Sequence, residues 1–124
     1  MEHFTEVDPN DPWMLLRIFI GESDKAMHGK FHGRPLWEAL LNDFRERGLA
    51  GCTVTRAIAG FGASAKARNI LSEYLSSDLP IIIEAVDRES HIKKVLPDLD
   101  EMLGGGMVTL EKVNVTMYRP GAHE

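Results

Sequence analysis

CTVTRAIAGFGAS, residues 52–64, is the stretch around which the rest of the chain arranges itself. Its first half alternates. Cys52, Val54 and Ile58 fall on one side and Thr53, Thr55 and Ala57 on the other, the period of a strand with one apolar face. Arg56 falls on the apolar side and calls for a partner. The strand then runs into Gly60-Phe61-Gly62. Two glycines around an aromatic permit close backbone approaches and free amide groups to face an anion. The same triplet also serves as a plain strand exit with a buried phenylalanine, so the flanking sequence has to decide.

Upstream, WMLLRIFI (13–20) reads as a first strand. Met14, Leu16, Ile18 and Ile20 make one face. Trp13, Leu15 and Phe19 make the other, interrupted by Arg17. Two apolar faces imply burial on both sides; in a small domain the helices cover one, and another chain must cover the second. Residues 21–33 form a polar, glycine-rich loop in which Glu22, Asp24 and Lys25 follow the strand directly, at the edge where sheets present ligand groups. His28 and His32 have a spacing that could share a metal, but Gly29 and Gly33 oppose a helix there and no third ligand is evident. A helix begins at Pro35, a suitable first position. Its inner stripe is Leu36, Trp37, Leu40, Leu41 and Phe44, with Asp43 among the residues opposite, and Gly48 closes it.

Downstream, residues 63–78 carry Ile70, Leu71, Tyr74 and Leu75 at helical spacing, with a small, polar and mobile part nearer Gly62. LPIIIEAVD (79–87) is a third strand, apolar on both sides except at Glu84, with Pro80 tolerated at its start. Asp87 is placed to cap a second helix lined by Ile92, Val95, Leu96, Leu99, Met102 and Leu103. Pro97 predicts a kink within it, and Gly104-Gly105-Gly106 ends it. MVTLEKVNVTMY (107–118) is the last strand. Its apolar parity changes between Leu110 and Val113, which predicts a bulge near Glu111-Lys112. Arg56 and Glu84 are expected to pair with each other, or with charges of an adjoining subunit for which Glu22 and Arg17 are candidates, because an unpaired buried charge is costly. Residues 1–12 read as a loose leader, 13–119 as one domain and 120–124 as a short tail.

With 124 residues and 44% hydrophobic residues, the chain has the size and composition of one globular domain. A net charge of −5 disfavours a nucleic-acid-binding role. The single cysteine, Cys52, sits on a strand as a small apolar residue and forms no intramolecular disulfide, which points to a reducing compartment. The acidic N-terminus is no signal peptide, and no apolar run is long enough to span a membrane. Cytoplasmic localisation without membrane insertion is the expectation.

The order of elements is β-α-β-β-α-β, the ferredoxin-like split pattern of an α+β fold. Within that order, GESDK after the first strand, GRPLWEAL opening the first helix and GLAGCTVTRAIAGFG leading out of it resemble the DUF190 family. SSDLPIIIEAVDRE and LPDLDEM, followed by a glycine-led strand, extend the resemblance over roughly residues 15–118. DUF190 proteins are grouped with the nitrogen-regulatory PII proteins, which implies a homotrimer whose sheets face inward. In PII a GFG triplet forms the base of a long mobile loop, and a glycine turn after the second helix cradles nucleotide phosphates between subunits. Those positions match Gly60-Phe61-Gly62 and Gly104-Gly105-Gly106 here. The chain departs from PII at Met107, where PII has a lysine, and in having Arg119 alone where PII has paired arginines.

The resemblance implies a regulator that binds a small ligand between subunits and binds or releases a partner protein, a transporter or an enzyme, through residues 63–78. The candidate site is Arg56, Gly60, Phe61, Gly62, Gly104, Gly105, Gly106 and Met107 with Glu22 and Lys25. The scarcity of cationic side chains there disfavours a triphosphate and leaves an adenine nucleotide with fewer phosphates or another small anion. Two alternatives are a divalent-metal-binding trimer like the related CutA proteins, resting on His28 and His32, and a small enzyme using the loop carboxylates. No nucleophile, base and orienting group can be assembled for the latter.

Overall fold

Strict alternation in the first strand sets the architecture. Along β1 (Trp13–Gly21) every even-numbered residue from Met14 to Ile20 is buried and every odd one is half-buried. The computed structural model describes residues 8–62 and 78–121. After β1 come α1 (Leu36–Glu46), β2 (Thr53–Arg56), β3 (Pro80–Arg88), α2 (Glu89–Met102) and β4 (Met107–Lys112). The strands form one sheet in the order β2-β3-β1-β4, antiparallel throughout. Among the described residues this α+β arrangement has four strands and two helices and is compatible with a ferredoxin-like fold. The expected element order is present. The helical spacing and the mobile part expected over residues 63–77, most of the leader 1–12 and most of the tail 120–124 lie outside the described residues.

The core fills the space between one sheet face and the two helices. Leu16 and Ile18 of β1 and Ile83 of β3 meet Leu36, Leu40 and Phe44 of α1 and Ile92 and Val95 of α2, all fully buried. Each such side chain contributes about 1.5–3 kcal/mol relative to exposure. Helix α1 starts one residue later than the sequence suggests, with Pro35 in the capping position and the Leu36 N–H donating to the Asp24 carbonyl (2.8 Å). It ends in a Schellman turn. Gly48 takes φ +82°, its N–H donates to the Arg45 carbonyl (3.1 Å), and the Leu49 N–H reaches back to Phe44 (3.1 Å).

Several sequence expectations need correction. β2 is only four residues long, because β3 begins at Pro80: the Ala57 N–H donates to the Pro80 carbonyl (2.9 Å), and no further β3 residue is available to pair. Ile58 therefore lies beyond the sheet, 93% exposed, and Phe61 is exposed rather than buried. β4 stops at Lys112, so the change of parity marks the end of a strand and not a bulge. Asp87 does not cap α2. It is the buried last-but-one residue of β3, and its carboxylate accepts from the backbone N–H of Ala50 (2.8 Å) and of Arg88 (2.6 Å) and contacts His91 Nδ1 (2.8 Å). The cap comes from the leader. Asp11 accepts from the Ser90 N–H and hydroxyl (2.8 Å each), and those two bonds hold its carboxyl below the usual range. Asp43, assigned to the polar side of α1, is only 8% exposed.

Arg56 and Glu84 do not pair with each other. Arg56 Nε donates to Glu22 (2.9 Å) and Arg17 Nε to Glu84 (2.9 Å), both within one chain. The register explains the exchange. Arg17 stands opposite Glu84, whereas Arg56 stands opposite Ile81, so Arg56 and Glu84 point to opposite faces.

Candidate ligand-binding site

Among the described residues, none forms a layer over the sheet face away from the helices. Across it run Thr53 and Thr55 of β2; Ile82, Glu84 and Val86 of β3; Leu15, Arg17 and Phe19 of β1; and Met107, Thr109 and Glu111 of β4. Arg17 sits near the centre, bonded to Glu84 and 3.7 Å from Glu111. At one end, Trp13 stacks obliquely on Tyr118 with ring centroids 5.9 Å apart. There a groove of about 470 Å³ runs between Trp13, Leu15, Cys52, Val86, Val115 and Tyr118. Burial pushes the Cys52 thiol up to about 11, which makes it a poor nucleophile and agrees with its reading as a packing residue.

The candidate residues gather at the other end, where β1 and β2 finish and β3 and β4 begin. Glu22 follows β1 and holds Arg56 by the ion pair already described. The Gly21 N–H donates to the Asp24 carboxylate (3.0 Å), tightening the turn that carries Glu22. Lys25 is drawn toward α1, where it bridges to Pro35. Gly60 lies over Pro80, and a Cβ there would stand 3.0 Å from the proline Cγ. On the opposite edge, Gly106 has φ +131°, and a Cβ there would lie 2.6 Å from the Phe19 carbonyl oxygen. Only glycine fits that position. Gly105 has nothing within 4 Å of its missing Cβ, Gly104 lies against the Met27 side chain, and Met107 is 61% exposed.

Within one chain, then, Glu22 and Arg56 come together, as do Gly106, Met107 and the end of β1. The two glycine turns do not meet. β2 and β4 are the two edges of the sheet, three strand spacings or about 14 Å apart. For metals, no three His, Cys, Asp or Glu side chains converge among the described residues. His28 and His32 stack with ring centroids 6.5 Å apart. No described helix is long and apolar enough to cross a membrane.

Sequence reasoning missed one cluster altogether. On the outer side of the helices, Asp43 of α1 lies beside Asp98 of α2, which Arg47 grips with Nε and Nη2 at 2.8 and 3.1 Å. The i, i+4 spacing of Asp43 and Arg47 was visible in the sequence, but the approach of Asp98 depends on how the helices pack.

With this geometry in place, comparison with known proteins gives a consistent answer. The DUF190 family model, described as "Uncharacterized ACR", matches residues 13–115. The chain belongs to the DUF190 family. The DUF190 match starts at the first residue of β1 and runs past the end of β4, so it takes in every described strand and helix. Among curated DUF190 relatives, a UPF0166 protein of Aquifex aeolicus is 42% identical over 103 residues, covering 82% of this chain and 90% of that protein. A UPF0166 protein of Methanocaldococcus jannaschii is 32% identical over 102 residues, covering 82% of this chain and 89% of the other. A second Aquifex aeolicus UPF0166 protein is also 32% identical, with 95% of its length covered.

Proposed function

We propose that this DUF190 protein is a PII-like regulator. Its subunits assemble as a homotrimer through the uncovered sheet face. A small ligand, an adenine nucleotide or another small anion, binds where the glycine turn 104–106 of one subunit meets the 60–62 turn of the next. Residues 63–78 transmit occupancy to a partner protein, a transporter or an enzyme. The observation that carries this reading is the placement of the two glycine turns at one end of the sheet but on opposite edges. A single chain cannot close a site from them, and a ring of chains packed sheet to sheet can. Half-buried Leu15, Phe19, Ile82 and Val86 supply the apolar area that such packing needs. Exposed Phe61 offers a ring to stack on a base, and Arg56 is the cation nearest the turn on its strand.

The test combines mass and binding. Light scattering at micromolar concentration is expected to give the mass of three chains. Calorimetry with AMP, ADP, ATP and bicarbonate is expected to single out one ligand, and Gly105→Leu is expected to abolish its binding while the trimer persists. A stable monomer removes the composite site. A trimer whose Gly105→Leu variant binds the ligand normally leaves the turn as a chain reversal alone.

A further inference from the structure

Arg17, Arg47 and Arg56 are each held by a carboxylate, and Arg56 is held differently from the other two. Arg47 meets Asp98 with Nε and Nη2 at 2.8 and 3.1 Å, the two-point fork that closes a structural ion pair. Arg17 bonds Glu84 through Nε at 2.9 Å and has Glu111 3.7 Å from Nη1. Arg56 makes a single bond among the described residues, Nε to Glu22 Oε1 at 2.9 Å, and its side chain is 53% exposed. Both of its Nη groups keep their N–H donors without an acceptor among the described residues. An arginine gripped at one corner is oriented without being used up.

The grip comes from a fixed base. Glu22 stands in the turn after β1, where its own N–H donates to the Leu79 carbonyl (2.9 Å) and the Ser23 N–H donates to the Asp78 carboxylate (3.0 Å). The Gly21 N–H donates to the Asp24 carboxylate in the same turn. Asp24 and Asp78 are thus each engaged by a backbone amide, and both lie over Gly21, 3.2 Å from where a Cβ would stand. Glu22 instead engages Arg56, the last residue of β2 before the 60–62 turn. The Arg56–Glu22 pair is neutral as a unit, and the carboxylates of Asp24 and Asp78 make its surroundings negative.

We propose that Glu22 is the specificity-determining residue of the intersubunit site, an inference that rests on the reading of that site given above. Glu22 positions Arg56 through Nε, so that the Nη donors take one anionic group, and its own charge discriminates against ligands that carry more. Coulomb's law sets the scale. A further negative charge roughly 8 Å from the Glu22 carboxylate costs a factor of about two in affinity even at the dielectric constant of water. Salt removes that only in part, since the separation is about one Debye length at physiological ionic strength. AMP carries less negative charge than ATP, so the site takes the monophosphate over the triphosphate. A lone arginine without the carboxylate orders them the other way.

The experiment is calorimetry of the whole protein with AMP, ADP and ATP in magnesium-free buffer, with ¹⁵N NMR of the arginine side chains as a second readout. The native chain is expected to bind AMP most tightly and ATP least. AMP is expected to shift the Arg56 Nη signals while the Nε–H signal keeps its hydrogen-bonded position. Glu22→Gln keeps an acceptor for Nε and removes the charge, and it is expected to improve ATP relative to AMP by at least threefold. A purely structural ion pair would change the three affinities alike. Arg56→Met is expected to lose at least tenfold for each nucleotide. A native chain that prefers ATP, a Glu22→Gln ratio equal to the native one, nucleotide binding untouched by Arg56→Met, or Arg56 signals unmoved by AMP overturns the inference. The order of affinities and the NMR shifts are read on the native chain and decide even where a variant folds poorly. The intersubunit reading fails separately. A stable monomer, or a trimer that binds neither nucleotides nor bicarbonate, removes that reading and this inference with it. A trimer that binds bicarbonate and no nucleotide leaves the reading standing and overturns the role given to Glu22.

Discussion

Arg17 on β1 and Glu84 on β3 face each other directly across the strand pair, Nε to carboxylate 2.9 Å, near the centre of the sheet face that no described helix covers. Their side chains are 33% and 39% exposed in the single chain, so there the pair contributes no more than about 1 kcal/mol. In the proposed trimer a second chain covers that face and removes the water. Breaking one partner then leaves an uncompensated buried charge, a cost of about 3–5 kcal/mol. Arg17→Met is therefore expected to shift the assembly to monomers at micromolar concentration while leaving the monomer's fold intact. Arg17→Met with Glu84→Met, which removes both charges, is expected to restore the assembly. Sedimentation velocity of the two variants checks both outcomes, and an unchanged assembly for Arg17→Met places the interface elsewhere.

Legibility followed local pattern. The period-2 alternation of residues 13–20 and 81–86 sorted their side chains into two faces, while the choice of face that meets the helices came only with the structure, and Gly48 and Gly106 marked real chain reversals. What failed depended on pairing between distant segments. That β2 ends at Arg56 follows from where Pro80 lies, and that Arg17 meets Glu84 follows from a register no local window contains. Asp43 read as solvated because its neighbours on the helix are polar, yet α2 closes over it. The candidate site was legible only as two glycine turns; their separation to opposite edges of the sheet appeared with the strand order.

The two adjacent glycines of the turn into β4 are expected to behave differently on substitution. Gly106→Ala places a Cβ 2.6 Å from the Phe19 carbonyl at φ +131° and should destabilise the chain by at least about 1–3 kcal/mol. Gly105→Ala meets nothing within 4 Å and should change stability by less than about 0.5 kcal/mol. Urea unfolding followed by circular dichroism separates them. Equal effects contradict the close approach at Gly106.

Asp43 gives the protein a pH dependence of a definite sign. Its carboxyl is raised from 3.8 to about 7 on folding, so the native state binds more protons than the unfolded chain between those values. Stability therefore falls as pH rises from about 4 through 7 and levels off above. Asp43→Asn removes the titrating group. It is expected to match the parent near pH 3, below both values, and to exceed it at pH 8.5, by on the order of a few kcal/mol at most. Denaturant midpoints at the two pH values make the comparison, and parallel profiles for parent and variant rule the raised carboxyl out.

Cys52 should resist thiol reagents in the folded protein. With its thiol pushed up to about 11 by burial, the thiolate fraction at pH 7 is on the order of 100-fold below that of a free cysteine. Reaction with a disulfide reagent is expected to slow by at least that factor relative to the denatured chain. Folded-state labelling as fast as denatured-state labelling shows the thiol to be open to solvent.

β2 and β3 are antiparallel neighbours, with Arg56 opposite Ile81, yet the chain between them runs through the whole of residues 57–80. Lengthening a loop between two paired strands adds closure entropy only with the logarithm of its length, about 0.6 kcal/mol for each doubling. The sheet therefore places almost no restriction on how many residues are inserted or deleted there, while a single added methyl at Gly106 collides with the backbone of β1. This fold can thus take changes of length in that connection and cannot take an added side chain at the turn into β4. One scaffold could accept segments of very different length and sequence there, and exchange what they recognise, without refounding its core.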